Sequence, residues 1–260
     1  EFLKTIISTK KYPISRLINT TATEMAKVLE NSYRAMNIAF AVEWSRFAEE
    51  AGVNLYEIVD AIRMRPTHKN LMYPGIGVGG YCLTKDPLLA SWSQTNLFNS
   101  KNELHQSIEG VKINDKMPYF AYKFLKREIK THSMLNDTIL LLGVSYRSDV
   151  GDTRYSPVEL FYNLLSADDF KILVHDPYVK DWDEKKITVS QSLKKCFDYK
   201  FSILVVTTNH SEYRDSDDLL EYLKNKEKLF ILDTVGLFND KEISILKQFH
   251  TVRVIGRGDV

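Results

Sequence analysis

Two hundred and sixty residues, 44% hydrophobic and 27% charged, make an ordinary folded chain and exclude a mostly disordered one. Thirty-five Lys and Arg against thirty-four Asp and Glu leave a formal charge of +1. That excludes nucleic-acid binding through a basic face and, with no apolar run of membrane-spanning length, argues against a membrane protein. Cys82 and Cys196 are too few for a disulfide framework and fit a reducing, cytoplasmic setting.

From Thr21 to Gly52 no proline intervenes and the single glycine is the last residue. Met25, Leu29, Met36, Phe40 and Phe47 recur at steps of four and seven, which predicts an apolar stripe on one face of a long helix. Val28, Ala35, Ala39 and Val42 form a neighbouring stripe. At ~1.5 Å per residue the helix is about 47 Å long, and so wide an apolar arc needs more than a hairpin partner to cover it. Gly52 ends it, Val53–Met64 reads as an antiparallel second helix, and this half is expected to be a dimer core. Pro87–Gln94 begins a further helix. Asn102–Ile129 is helical by composition, with a kink or break predicted at Gly110 and Pro118.

Past Met134 the texture changes. Thr138–Leu142, Lys171–His175, Ser202–Thr207, Leu229–Leu232 and Val252–Ile255 are short β-branched apolar runs, as in strands buried on both faces. Pro157–Leu165, Ser216–Lys224 and Asp240–Phe249 read as helices between them. The alternation predicts an α/β fold with a doubly wound parallel sheet of about 120 residues.

Pro74-Gly-Ile-Gly-Val-Gly-Gly-Tyr-Cys-Leu-Thr-Lys-Asp-Pro87 is the most informative stretch. Its glycines do not make a dinucleotide fingerprint, which needs a strand before it and a helix at the last glycine. They free the backbone for positive φ and for close approach to a ligand, and their amides can hold an anion. Cys82 follows directly, and Asp86 lies four residues on, sharing a helix face if the helix starts at Cys82. A lone cysteine is commonly a small buried hydrophobe, the reading kept for Cys196. Cys82 stands instead after two glycines at a helix start beside Lys85, where a thiolate nucleophile is favoured. Lys27 and Asn31, also four apart, lie away from the main apolar stripe, so a solvated face stays open for them. The six histidines show no metal-binding spacing, and no metal site is expected.

Three ordered segments carry a resemblance. They are Glu24-Met-Ala-Lys27-Val-Leu-Glu-Asn31-Ser-Tyr-Arg, the glycine-rich stretch through Asp86-Pro, and Leu142-Gly-Val-Ser-Tyr146-Arg147-Ser-Asp-Val-Gly-Asp-Thr-Arg154-Tyr-Ser-Pro157. Together they resemble the UDP-glucose / UDP-N-acetylhexosamine / GDP-mannose 6-dehydrogenases, from about Tyr12 to the end. The resemblance implies residues 1–20 as a linker remnant after an NAD-binding domain that this chain lacks. It further implies a helical dimerisation domain at 21–115, a connecting helix at 116–135 and a Rossmann-like UDP-sugar domain at 136–260.

The same resemblance implies a four-electron, NAD-dependent oxidation of the C6 alcohol of a UDP-sugar to the acid. Cys82 matches the nucleophile that holds the aldehyde as a thiohemiacetal and then a thioester. Lys27 matches the buried cation at the developing oxyanion, Asn31 the amide at that oxygen or its water, and Asp86 the carboxylate that handles protons with the lysine. Tyr73, Gly75, Gly77 and Gly79 match the loop that wraps the nucleotide sugar. Tyr146 and Arg147 match an aromatic–basic pair at its uridine and phosphate end, and Arg154 an arginine at the NAD phosphates. His68, with Arg65 as alternative, stands where relatives often carry an arginine that reaches the sugar across the dimer. Asp233-Thr-Val235-Gly lacks the basic residue many members have there. Gly-Val-Gly-Gly and Asp-Pro favour a UDP-N-acetylhexosamine, ahead of the UDP-glucose that Tyr81 and Lys85 favour. The expected partner is a second copy, through the long helix Thr21–Gly52. The alternative is a nucleotide-sugar-binding, dimerising module without catalysis of its own.

Overall fold

A computed structural model describes residues 2–132, 138–215 and 217–260. A short exposed helix, α1 (Phe2–Ile6), and an irregular stretch lead into α2 (Thr20–Ala51). Asn19 caps α2, its side chain accepting from the Ala22 N–H at 2.8 Å, and Gly52 ends it at φ 72°, the left-handed turn that a glycine makes without strain. Next come α3 (Leu55–Arg63), a single 3₁₀ turn at Pro66–His68, α4 (Tyr81–Asn96) and α5 (His105–Thr131).

The helical half decides three points. The buried face of α2 is its small-residue face, with Asn31, Ser32, Ala35, Ala39, Val42, Ser45 and Ala48 against α4 and α5. The stripe of large side chains points outward, where the expected second copy would cover it: Met25, Leu29, Phe40 and Phe47 are exposed, and Met36 is only half-buried. Periodicity fixed that a face is apolar but not which face meets the rest of the chain. Small residues win it because they let the helix axes approach. Secondly, α4 starts at Tyr81, not Pro87, which stands inside the helix. Thirdly, α5 runs unbroken through Gly110 and Pro118. Gly110 is there for contact, since a Cβ would lie 3.1 Å from the Met36 Cα of α2.

The second half follows as β1 (Ile139–Leu142), α6 (Pro157–Ala167), β2 (Ile172–His175), β3 (Asp181–Trp182), β4 (Ile187–Thr188), α7 (Leu193–Asp198), β5 (Ile203–Val206), α8 (Ser211–Arg214), α9 (Asp217–Lys224), β6 (Phe230–Asp233), α10 (Asp240–Leu246) and β7 (Thr251–Val254). Among the described residues β2-β1-β5-β6-β7 form one sheet, parallel throughout, and β3 and β4 a small antiparallel ribbon that the sequence reading had not anticipated. The expected strands are present within about a residue at each end. The last expected helix stops at Leu246 rather than Phe249, and Ser216, the expected start of α9, lies outside the described residues.

One sheet face is covered by Leu125 and Ile129 of α5 with Val158, Phe161 and Leu165 of α6. The other is covered by Phe197, Leu219, Leu223 and Leu246. Thus α5 belongs to both halves, its first part against α2 and its last part in the sheet core. A second seam joins them at the far end of α2. There Leu55 N–H donates to the Gly256 carbonyl at 2.9 Å, Gly258 N–H to the Val53 carbonyl at 2.9 Å, and Gly256 N–H to Glu49 Oε1 at 2.8 Å. The two halves are held in one fixed relation where the glycine-rich loop passes between them.

Candidate active site

The loop enters at Tyr73, whose hydroxyl donates to Asp60 and whose ring stacks on Tyr56 at 5.7 Å. Of the loop glycines, Gly80 alone has positive φ, at 78°. Three of the loop glycines closely approach the chain's own second half. A Cβ on Gly77 would overlap Pro157, one on Gly79 would overlap Tyr146 and come within 2.7 Å of the Tyr155 carbonyl, and one on Gly80 would meet the Tyr146 ring. Gly75 has open space around it. So Tyr146 is a half-buried wall of the loop, while Arg147 beside it is exposed.

Gly80 turns the chain into α4, which places Cys82 in the first helical turn with its side chain exposed. Asp86, one turn on, is buried at 7% exposure. Its Oδ2 accepts from Asn31 Nδ2 at 2.6 Å across the α2–α4 contact, and its Oδ1 accepts from Lys85 Nζ at 2.6 Å. Asn31 in turn accepts from Lys27 Nζ at 3.2 Å through Oδ1. The i, i+4 pairs on two helices therefore meet as one polar chain, Lys27–Asn31–Asp86–Lys85. Both lysines stand within electrostatic reach of the Cys82 sulfur.

Burial pushes the Asp86 carboxyl up, but hydrogen bonds from Lys85 and Asn31 outweigh it and hold it below the ordinary range. Lys27 is raised, first by its hydrogen bond to Glu30 at 2.8 Å and then, against a burial cost, by Glu30, Cys82 and Asp86 as negative neighbours. Two expectations change here. Lys27 is exposed rather than buried, its side chain retaining 63% of its accessible surface. It also reaches Asp86 only through Asn31. The sequence reading missed Glu30 as the competing partner of Lys27, although the i, i+3 spacing was visible. For the site's chemistry it named Lys85 as a cation near the thiol, whereas Lys85 also neutralises Asp86.

The other candidates lie outside this cluster. His68 is exposed, its ring paired with Thr67 Oγ1 at 2.9 Å. Arg154 is exposed and gripped by Asp152 at 2.7 Å. A cavity of about 880 Å³ borders the first turn of α4, lined by Val78, Tyr81, Lys85, Trp92, Tyr155 and Pro157 among others. That is room enough for a small organic ligand. Among the described residues no three His, Cys, Asp or Glu side chains are grouped to hold a metal, and no helix is long and apolar enough to cross a membrane.

Residues 21–115 match the family model of the UDP-glucose/GDP-mannose dehydrogenase family central domain, and residues 140–240 that family's UDP binding domain. A UDP-N-acetyl-D-mannosamine dehydrogenase of Pyrococcus horikoshii is 32% identical over 94% of this chain and 54% of its own length. One of Methanocaldococcus jannaschii is 30% identical over 92% of this chain and 52% of its own length. The solved structure of a UDP-D-ManNAc dehydrogenase from P. horikoshii superposes with a TM-score of 0.80 at 28% identity, covering 100% of this chain and 57% of that one. That of an NDP-N-acetyl-D-galactosaminuronic acid dehydrogenase from Methanosarcina mazei also gives 0.80, at 25% identity, over 93% of this chain and 52% of that one. The chain thus spans about half the length of the curated relatives it matches.

Proposed function

Because this chain belongs to the UDP-glucose/GDP-mannose dehydrogenase family and contains its central and UDP-binding domains, we propose that it is the substrate-holding, thiol-bearing part of a UDP-N-acetylhexosamine 6-dehydrogenase. The observation that carries the reading is the convergence of Lys27, Asn31, Asp86 and Lys85 around the first turn of α4, where Cys82 is displayed. The preference for an N-acetylated sugar rests on relatives that are named for such sugars.

Cys82 adds its thiolate to the C6 aldehyde, so the reactive carbonyl stays on the protein between two oxidations. The thiohemiacetal oxygen then carries the developing charge. Lys27 supplies an exposed ammonium for it on exchange of its Glu30 partner, and Asn31, one N–H of which is spent on Asp86, has a second to give to the same oxygen. Asp86, held ionised, accepts the proton as water attacks the thioester, and Lys85 balances its charge. The products are the acid and the regenerated thiol.

NAD is the hydride acceptor of both oxidations when bound. Among the described residues the exposed guanidinium of Arg154, already paired with Asp152, is the group that would meet its phosphates. That observation favours the second reading as well, in which this stretch by itself binds and dimerises without turning substrate over. A homodimer through α2 is part of the proposal: Phe40, Trp44 and Phe47 form an exposed aromatic ladder, with centroids 5.9 and 5.8 Å apart.

The deciding experiment compares the full-length enzyme with its Cys82→Ala variant. Loss of acid formation, with UDP affinity within about twofold of the parent, is expected. Acid production by the variant would overturn the mechanism, and failure of the parent chain to bind UDP in calorimetry would overturn the whole assignment.

A further inference from the structure

We infer that Tyr56, which lies outside the polar cluster, is a positioning residue that fixes the glycine-rich loop against the second half of the chain. The ring sits where two turns of the sheet domain leave room for it. Gly236, at φ 66°, has no Cβ because one would overlap the Tyr56 ring, and Gly256, at φ 84°, lies closest to Pro74 of the loop, 3.0 Å from a Cβ built there, with the Tyr56 ring in ordinary contact at 3.6 Å. The backbone around Tyr56 is clamped to the same turn, through Leu55 N–H to the Gly256 carbonyl at 2.9 Å. The other side of the contact is the loop. Tyr56 stacks on Tyr73 at 5.7 Å with 17° between planes. Tyr73 is further held by its hydroxyl on Asp60 and by the Arg63 guanidinium 4.8 Å from its ring centre.

The order of parts is therefore sheet turns, Tyr56, Tyr73, loop, Cys82. From Tyr73 the chain runs through Gly77 and Gly79, packed on Pro157 and Tyr146, into α4. A loop this rich in glycine loses more conformational entropy on ordering than any other, so its placement needs an anchor at its entrance. The ring supplies that anchor, beside the direct packing of Pro74 on Gly256, and the hydroxyl does not. The Tyr56 Oη is buried without a hydrogen-bond partner, and burial, with Asp233 nearby, keeps it un-ionised. A role for Tyr56 in substrate placement rests on the UDP-sugar reading above, whereas its role in ordering the loop does not.

Two readouts keep these apart. Hydrogen exchange of peptides covering 72–80 is followed in the chain and in its Tyr56→Ala and Tyr56→Phe variants, and UDP affinity is measured by calorimetry on the same samples. In Tyr56→Ala, exchange over 72–80 is expected to rise at least tenfold, while peptides of β1, β5 and β6 stay protected, and UDP affinity to fall at least tenfold. Tyr56→Phe is expected to restore both to within twofold of the parent and to melt no lower than it. A folded Tyr56→Ala with parental exchange over 72–80 overturns the inference. A parent that binds no UDP overturns the functional assignment and leaves the exchange result to decide the role of Tyr56.

Discussion

Asn31 touches both Lys27 and Asp86, so the amide orientation sets the geometry of the whole polar chain. A buried hydrogen bond to a charged acceptor contributes roughly 1.5–3 kcal/mol. Asn31→Asp puts a second carboxylate 2.6 Å from the first, where two like charges cannot both persist. At pH 7 the variant is expected to lose about 2 kcal/mol or more, and to recover part of it near pH 5, as the pair comes to share a proton. Denaturant titrations at the two pH values check this, and a pH-independent loss would refute it. Residue spacing made Lys27 with Asn31, and Cys82 with Asp86, visible as pairs. That the pairs face each other was not visible, because nothing in either helix specifies which neighbour it meets.

At the scale of elements, the glycines of the loop separate into two kinds. Gly79 is pressed on Tyr146 and the Tyr155 carbonyl, whereas Gly75 faces open space. Gly79→Ala is expected to cost about 1–3 kcal/mol through overpacking. Gly75→Ala, at a φ that alanine adopts, is expected to be neutral or to stabilise by up to about 1 kcal/mol by restricting the unfolded chain. Thermal melts of the two variants side by side give the answer, and equal losses would remove the close-packing explanation. The outer face of α2 makes a separate prediction. If the proposed α2 dimer forms, Phe40→Asp combined with Phe47→Asp is expected to turn it into a monomer without lowering helix content, as read by light scattering and circular dichroism. A variant that remains dimeric would place the interface elsewhere.

The molecule as a whole carries two buried groups whose titrations oppose each other. Burial, outweighing the nearby Asp176, depresses His175 to about 4. The unfolded ring takes up its proton at higher pH, so this stability is present above about 6.5 and is lost as the pH falls through 4, an effect of about 3 kcal/mol. Burial raises Asp233 to about 6 in spite of its backbone N–H partners, Phe238 first. Its contribution runs the other way, fully present below the ordinary carboxylate value and lost as the pH rises through about 6. His175→Phe is therefore expected to flatten the acid limb between pH 6.5 and 4 by about 3 kcal/mol relative to the parent, whatever its stability at neutral pH. An unaltered slope in urea titrations across that range would show that another group sets acid lability.

Local chemistry by itself determined much of this protein. Short uninterrupted apolar runs alternating with helical stretches read as strands covered on both faces, so the parallel sheet and its strand limits were legible. The helix expected over Thr21–Gly52 was equally so, since its stop at Gly52 is a local signal, whereas its cap at Asn19 emerged only in the structure. The chemistry of the cluster was legible as residue types at helical spacing, and the family as three motifs in order. The tertiary structure decided what depends on contact between distant segments. It chose the small-residue face of α2 for burial, because axis separation depends on side-chain size. It started α4 at Tyr81, behind Gly80, rather than at Pro87, and carried α5 through Pro118, because packing on both sides outweighs one lost backbone bond. It turned Asn31 into the bridge between Lys27 and Asp86 and set Tyr56 between two halves, arrangements that exist only when helices and sheet are assembled.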